Sequence, residues 1–161
     1  MTENEVARQI VDVAFKIHTT FGPGLLESVY ETIMAYELQK RGLSVICQQG
    51  IPVVYEDIRM DLGFRADLIV ENLVVVEIKS VEAIAPVHKK QLLTYLRLTN
   101  KKLGLLINFN VAHLRQGFRC VVNGSPPRDV NDDGTSMSSV SSVVESLPGT
   151  GDRQGEDDVL P

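Results

Sequence analysis

The fold is decided by residues 64–80, whose sequence is FRADLIVENLVVVEIKS. Two short apolar runs flank a polar break near the middle, and this pattern predicts a β-hairpin. The strands carry Asp67, and then Glu77 and Lys79 two residues apart. Because side chains alternate along a strand, Glu77 and Lys79 point the same way. Asp67 joins them only if the loop has an odd number of residues, such as three, since an even loop reverses its face.

Two interpretations of these three charges stay open. An acid opposite an acid and a lysine can hold a metal ion and a reactive water. Alternatively, Glu77 and Lys79 form an ion pair on a solvated strand face, worth roughly a few tenths of a kcal/mol. The three residues alone favour the ion pair, so residues elsewhere in the chain are needed to distinguish the two interpretations.

Composition predicts one globular domain with a sizeable core. The chain has 161 residues, of which 43% are hydrophobic and 23% charged, which is ordinary for a soluble protein. No apolar run approaches the length of a bilayer span, and the N-terminus lacks the pattern of a secretory signal. Cys47 and Cys120 form no metal-binding or disulfide pattern. We therefore expect a cytoplasmic protein with reduced thiols and no membrane partner.

Charge divides the chain in two. The net charge is −5, but residues 123–161 contain eight acids and two bases, which leaves +1 for residues 1–122. We expect a folded domain over 1–122 and a disordered, acidic Ser/Gly/Asp-rich tail over 123–161. Within the domain the bases cluster late in the chain, in a zone that could hold a phosphate backbone. These bases are Lys79, Lys89, Lys90, Arg97, Lys101, Lys102, Arg115 and Arg119.

Two amphipathic helices are predicted before the hairpin. Apolar residues recur at helical spacing over 3–20 and 25–41, with a Phe-Gly-Pro-Gly break between them. His18 ends the first helix, where a histidine is usually a dipole partner or a partly buried residue. Glu27 lies in the first turn of the second helix, which also suits the helix dipole. Tyr30 follows one turn later, and Gly42 is a suitable terminating residue.

Further strands and a third helix complete the predicted domain. We expect two short strands at 43–48 and 51–55 around Gln49-Gly50, with Pro52 marking an edge strand. Gly63 indicates a bulge in the next strand, which begins near residue 58 and continues into the hairpin. After the hairpin we expect a helix over 86–100, a strand at 103–109 buried on both faces, and a strand at 117–122.

The helix over 86–100 carries Gln91 and Tyr95 on one stripe with Val87 and Leu98. Gln91 and Tyr95 are polar or half-polar where a core stripe would be aliphatic. Either they reach into a site, or the tyrosine packs at the domain edge beside an exposed glutamine. Both interpretations stay open on spacing alone.

Taken in order, Glu27, Asp67, Glu77-Ile78-Lys79 and Gln91-x-x-x-Tyr95 follow the α-β-β-β-α-β order of the PD-(D/E)xK nuclease core, which this chain resembles. Residues 24–30, GLLESVY, resemble the signature of the bacterial GxxExxY proteins, a family placed near the RecB-like and phage lambda exonuclease-like branches. The resemblance covers residues 5–122. Ala66 stands where the classical motif has proline. The resemblance implies a restriction-endonuclease-like α/β fold (α+β mixed sheet), with a mixed central sheet flanked by helices.

The resemblance also implies a role for each site residue. It implies a Mg²⁺ or Mn²⁺ ion held by Glu27, Asp67, Glu77 and the backbone carbonyl of Ile78, and oxygen ligands of this kind suit these ions. Lys79 would hold the attacking water or stabilise negative charge. Gln91 and Tyr95 would orient the site and contact the phosphate strand. Tyr30 and His18 would support Glu27.

Three functions follow from these observations. The first is a Mg²⁺-dependent nuclease that acts on DNA, with RNA as the open alternative. The second is a catalytically silent module on the same fold that binds nucleic acid or protein. The third is a regulatory interaction protein whose acidic tail mimics nucleic acid. The joint presence of Asp67, Glu77, Lys79 and Gln91 favours the first, since a decayed enzyme would lose at least one of them. Homo-oligomerisation stays open.

Overall fold

The computed structural model describes residues 1–124, except for the side chain of Leu62. The predicted acidic tail lies outside the described residues from position 125 onward. No helix within residues 1–124 is both long enough and apolar enough to cross a membrane. In chain order the elements are α1 (Glu3–Phe21), α2 (Glu27–Lys40), β1 (Val45–Tyr55), β2 (Ile58–Val70), β3 (Val74–Lys79), α3 (Pro86–Leu98), β4 (Leu103–Asn108), α4 (Leu114–Gly117) and β5 (Phe118–Val122).

Local sequence determines where α1 begins and where α1 and α2 end. Thr2 caps α1: its side chain accepts from the N–H of Glu5 at 3.3 Å, and its own N–H donates to the Glu5 carboxylate at 2.7 Å. Gly22 ends α1 with a φ of 65°. Gly42 follows α2 with a φ of 84°, which a side chain would disfavour. Both helices lie where the periodicity predicts them.

The five strands form one mixed sheet in the order β1-β2-β3-β4-β5. β3 and β4 are parallel, and the other neighbouring pairs are antiparallel. α1 and α2 pack on one face and α3 packs on the other. Every residue of β4 is buried, as predicted for a central strand. The predicted α/β class, a mixed central sheet flanked by helices, is confirmed. The one-turn helix α4 is an element that the sequence did not predict.

The two short strands predicted at 43–48 and 51–55 are in fact one strand, β1. No turn forms at Gln49-Gly50, because β2 is 13 residues long and provides partners for both residues. The register shifts only between Ile51 and Val53. The predicted irregularity at Gly63 lies opposite this shift, and a Cβ on Gly63 would come within 2.8 Å of the Ile51 carbonyl oxygen. Pro52 lies within the shift on an edge strand, as predicted.

Helix α3 buries a different stripe from the one that groups Val87 with Leu98. These two residues are 60% and 39% exposed, whereas Leu92, Tyr95 and Leu96 are buried against the sheet. Leu92 and Leu96, one turn apart, therefore determine which face of α3 packs on the sheet. Gln91 lies at the boundary of the buried stripe and is only partly exposed.

Candidate functional site

A three-residue loop, 71–73, connects β2 and β3, so the odd loop required for a joint site is present. The ladder pairs Val70 with Val74 and ends at Leu68 with Val76. Continued by one step, this register sets Asp67 opposite Glu77, and opposite partners in an antiparallel pair project to the same side. Beyond that point the backbones of β2 and β3 are no longer paired.

The carboxylate of Asp67 lies where the two strands separate. Its Oδ2 accepts a hydrogen bond from the backbone N–H of Ile78 at 2.8 Å, and its Oδ1 accepts one from the side chain of Gln48 at 3.2 Å. Burial raises the pKa of Asp67, and Glu27 adds to the rise, although these hydrogen bonds and Lys79 oppose it. The acid is therefore held in place by donors, yet is costly to ionise.

Glu77 is the most deeply buried acid of the site, with 4% of its surface exposed. Its Oε1 accepts from Lys79 Nζ at 3.1 Å, while its Oε2 is buried without a hydrogen-bond partner among the described residues. Burial, and then repulsion from Asp67, raise the pKa of Glu77 to about 7 despite the neighbouring Lys79. The interpretation of Glu77 and Lys79 as a solvated surface pair is therefore wrong, because both side chains are largely buried, at 6% and 16% exposure.

Glu27 approaches the site from α2. Its Oε1 accepts from the N–H of Ser80, the residue after β3, at 3.0 Å. The Ser80 hydroxyl donates in turn to the Leu25 carbonyl at 2.9 Å, so the start of α2 is bound to the end of β3. Glu27 and Asp67 both line one cleft of about 760 Å³, whose walls also include Glu31, Gln48, Ser80 and Asn110. Glu77, Lys79, Gln91 and Tyr95 do not line this cleft.

Tyr30 and His18 lie behind the cleft. The Tyr30 hydroxyl donates to the Gly22 carbonyl at 2.6 Å and accepts from the Leu25 N–H at 3.2 Å, which fixes the loop that leads to Glu27. Its ring stacks on Phe109 with centroids 4.2 Å apart. A ring nitrogen of His18 is hydrogen-bonded to the Val111 carbonyl at 2.8 Å. Both residues stabilise surrounding loops, and their role in a reaction stays a prediction.

Gln91 and Tyr95 lie on α3, which covers the face of the sheet opposite to α1 and α2. Gln91 Nε2 donates to the Tyr95 hydroxyl at 2.6 Å, and the tyrosine ring packs against Phe64 with centroids 5.2 Å apart. Burial raises the pKa of Tyr95, and Glu77 and Asp67 add to the rise.

Among the described residues, the sequence analysis missed four whose side chains form hydrogen bonds at or beside the site: Glu31, Gln48, Ser80 and Asn108. Asn108 is 1% exposed and binds both the N–H and the carbonyl of Val81, so it fixes the chain that leaves β3. An asparagine at the end of an apolar run was a usable signal for it. The other three act through contacts between distant segments, which spacing along the chain does not reveal.

The donor set partly fits a divalent cation. Glu77 Oε2 is a buried carboxylate oxygen that no donor in residues 1–124 satisfies, and a cation would satisfy it. The N–H of Ile78 points toward Asp67, and in a strand the carbonyl of the same residue points to the same edge. However, no three His, Cys, Asp or Glu side chains within residues 1–124 are grouped so that they could hold a metal ion. The four-ligand set with Glu27 therefore stays a prediction.

Comparison with known proteins identifies the class to which this fold and site belong. The family model of the PD-(D/E)XK nuclease superfamily matches residues 4–121, so the chain belongs to that superfamily. Neither the curated proteins nor the solved structures contain a significant match to this chain. Nucleases of this superfamily generally use divalent metal ions, and membership implies binding to nucleic acid.

Proposed function

We propose that this protein is a Mg²⁺-dependent nuclease that hydrolyses phosphodiester bonds of DNA, and that it is a GxxExxY-type member related to the RecB-like branch. One observation carries the proposal. The register of β2 and β3, continued by one step, sets Asp67 opposite Glu77 where the strands separate. Lys79 is bound to Glu77, and one buried Glu77 oxygen has no donor among the described residues. Burying two acids and a lysine together costs desolvation free energy, and groups perturbed in this way cluster at functional sites.

Asp67, Glu77 and the Ile78 carbonyl would hold the ion, and Glu27 would reach it through water from the wall of the cleft. Mg²⁺ commonly binds through one or two carboxylates and keeps several waters, so two close acids are sufficient. When bound, the ion would supply positive charge to the phosphate and lower the pKa of a water molecule. Mn²⁺ prefers similar oxygen ligands and would serve as a substitute.

Lys79 would act on the reacting groups directly. Its ammonium is held by Glu77 and its side chain is only 16% exposed, so its charge is weakly screened. There it would orient the attacking water or stabilise the negative charge that develops on the phosphate. Gln91, fixed by its bond to Tyr95, would contact the phosphate strand from α3.

Charge distribution supports nucleic acid as the substrate. Residues 83–124 contain seven Lys and Arg and no Asp or Glu. Three of them, Lys89, Lys90 and Arg97, are exposed on α3, the helix that carries Gln91 and Tyr95. Among residues 1–124 these three have no ion-pair partner. We therefore assign the nucleic-acid surface to the side of the sheet that α3 covers. The nuclease domain as a whole is proposed to span residues 1–122.

The alternative is a catalytically silent module that binds nucleic acid or protein, and the lack of a three-carboxylate group within the described residues favours it. Incubation with single- and double-stranded DNA and RNA, in Mg²⁺, Mn²⁺ or EDTA, separates the two. Cleavage of DNA that requires the metal supports the nuclease. Binding without cleavage in any of these conditions supports the silent module.

A further inference from the structure

Gln48 joins two carboxylates that belong to different elements. Its Nε2 donates to Glu31 Oε2 at 2.6 Å and to Asp67 Oδ1 at 3.2 Å. An amide nitrogen carries two hydrogens, so one side chain can serve both acids at once. Because the Ile78 N–H occupies Oδ2, both oxygens of Asp67 then have a donor.

The backbone of β1 changes where this contact is made. Gln48 has a φ of 51°, a left-handed conformation that residues other than glycine rarely adopt. β1 and β2 are paired on either side, at Cys47 with Leu68 and at Gln49 with Ala66. The same register sets Gln48 opposite Asp67, yet these two residues are not a backbone pair. The ladder is thus interrupted at the one position where Asp67 receives its side-chain donor.

Glu31 holds the amide from the other side. It lies on α2 one turn after Glu27, is partly buried, and lines the same cleft. Burial raises the pKa of Glu31, and the negative charge of Asp67 adds to the rise, while the Gln48 hydrogen bond opposes it. The neutral amide therefore stands between two acids that repel each other, and each acid fixes one of its hydrogens.

We propose that Gln48 and Glu31 are positioning residues: Glu31 orients the Gln48 amide, and the amide fixes the carboxylate of Asp67 in the orientation that binds a divalent cation. The inference rests on the proposed function. Removing the partner that orients a metal-ligating group typically lowers metal affinity or activity by about 10–100-fold. An effect of that size is expected here, since Gln48 is the only side chain among the described residues that hydrogen-bonds to Asp67.

The test compares Gln48→Leu, Glu31→Ala and Glu31→Gln with the control Gln49→Leu, all in the full chain. Gln49 is the next residue of β1, is exposed, and makes no side-chain hydrogen bond within residues 1–124. Calorimetric titration with Mn²⁺ gives the metal affinity, and steady-state cleavage gives kcat and KM. We expect Gln48→Leu and Glu31→Ala to lose at least about tenfold in Mn²⁺ affinity and in kcat, with KM for DNA unchanged. Glu31→Gln should restore most of both, because its side-chain carbonyl still accepts from Gln48.

Two results overturn the inference alone while the wild type remains active. One is equal Mn²⁺ affinity and kcat in Gln48→Leu and Gln49→Leu. The other is an equal loss in Glu31→Ala and Glu31→Gln, which would show that the charge of Glu31 matters and its hydrogen bond does not. The Glu31 pair decides the question even if Gln48→Leu fails to fold. A wild type that neither binds Mn²⁺ nor cleaves any nucleic acid overturns the proposed function, and this inference with it.

Discussion

The carboxylate of Asp67 takes the place of a backbone partner for Ile78. Its Oδ2 accepts the Ile78 N–H at 2.8 Å just beyond the last paired residues of β2 and β3. A proposed metal ligand is thereby bound to the strand that carries Glu77 and Lys79. Removing the acceptor would leave a partly buried amide without a partner, at a cost of about 1–3 kcal/mol. Fold and site are coupled through this one hydrogen bond.

Two substitutions of Asp67 should separate its structural role from its charge. Asp67→Asn keeps an acceptor for Ile78 and removes a charge that raises the pKa of Glu77, so we expect unchanged or slightly higher stability without metal. Asp67→Leu removes the acceptor and should be about 1–3 kcal/mol less stable than Asp67→Asn in urea unfolding. Both should lose Mn²⁺ binding. Equal stability of the two variants would show that the bond to Ile78 contributes nothing.

Stability without metal should fall as the pH rises toward neutral. The pKa of Glu77 is raised from 4.5 to about 7, so the folded state binds more protons than the unfolded state between these values. Glu77 therefore contributes to the free energy of unfolding below about pH 4.5. This contribution, roughly 3 kcal/mol at most, is lost as the pH rises to about 7. The raised pKa of Asp67 acts in the same direction. Glu77→Gln should remove most of this slope in urea titrations from pH 4 to 9. If Glu77→Gln keeps the wild-type dependence of unfolding free energy on pH, groups other than Glu77 cause that dependence.

The exposed cations of α3 should contribute to binding through phosphate contacts. Changing Lys89, Lys90 and Arg97 together to glutamine should weaken DNA binding in EDTA and reduce the slope of log Kd against log salt by up to about 3. A control with the same change of charge replaces Arg8, Lys16 and Lys40, which lie on α1 and α2 across the sheet. Lys16 forms an ion pair with Glu37, so circular dichroism checks that each variant is folded. An equal loss of DNA affinity in the two triple variants would show that only net charge matters and that α3 is not part of the interface.

The acidic tail should compete with nucleic acid for the domain. Residues 123–161 carry a net charge of −6 against +1 for residues 1–122. A chain that lacks residues 124–161 should therefore bind DNA more tightly, and most clearly at low salt, where screening is weakest. Fluorescence anisotropy with a labelled duplex, at about 50 and 200 mM salt, measures the difference. If the full chain and the truncated chain have equal DNA affinity at each salt concentration, the tail does not affect binding.

Periodicity explains what could be predicted of the fold. The apolar stripes of α1 and α2, the buried run of β4, and the alternation around Asp67 and Glu77 are local patterns, and the elements lie where these patterns place them. The continuity of β1 was not predictable in this way. Gln49-Gly50 is a good turn sequence in isolation, and it stays extended because β2 extends beside it.

The candidate site was predictable only where residue type and alternation sufficed. Asp67, Glu77 and Lys79 could be grouped from an odd hairpin loop, and the structure has such a loop. The Gln48 contact depends on a left-handed backbone at a residue that usually avoids it. The bond from Ser80 to Glu27 joins residues 53 positions apart. Such contacts arise from the packing of whole elements, and short sequence motifs carry no signal for them.

The most direct test of the central claim is the Mn²⁺ affinity and single-turnover cleavage rate of Lys79→Met, measured against the wild type. The assay is done at about pH 8.5, above the pKa of about 7 of Glu77 in the wild type, and is repeated at higher pH for both proteins, because removing Lys79 raises the pKa of Glu77 further. If Lys79 acts on the reacting phosphate, DNA cleavage falls by at least about 100-fold while Mn²⁺ affinity stays close to that of the wild type. Equal cleavage rates for the two proteins, or a wild type that binds DNA with Mn²⁺ but never cuts it, would contradict a nuclease site built on Asp67, Glu77 and Lys79.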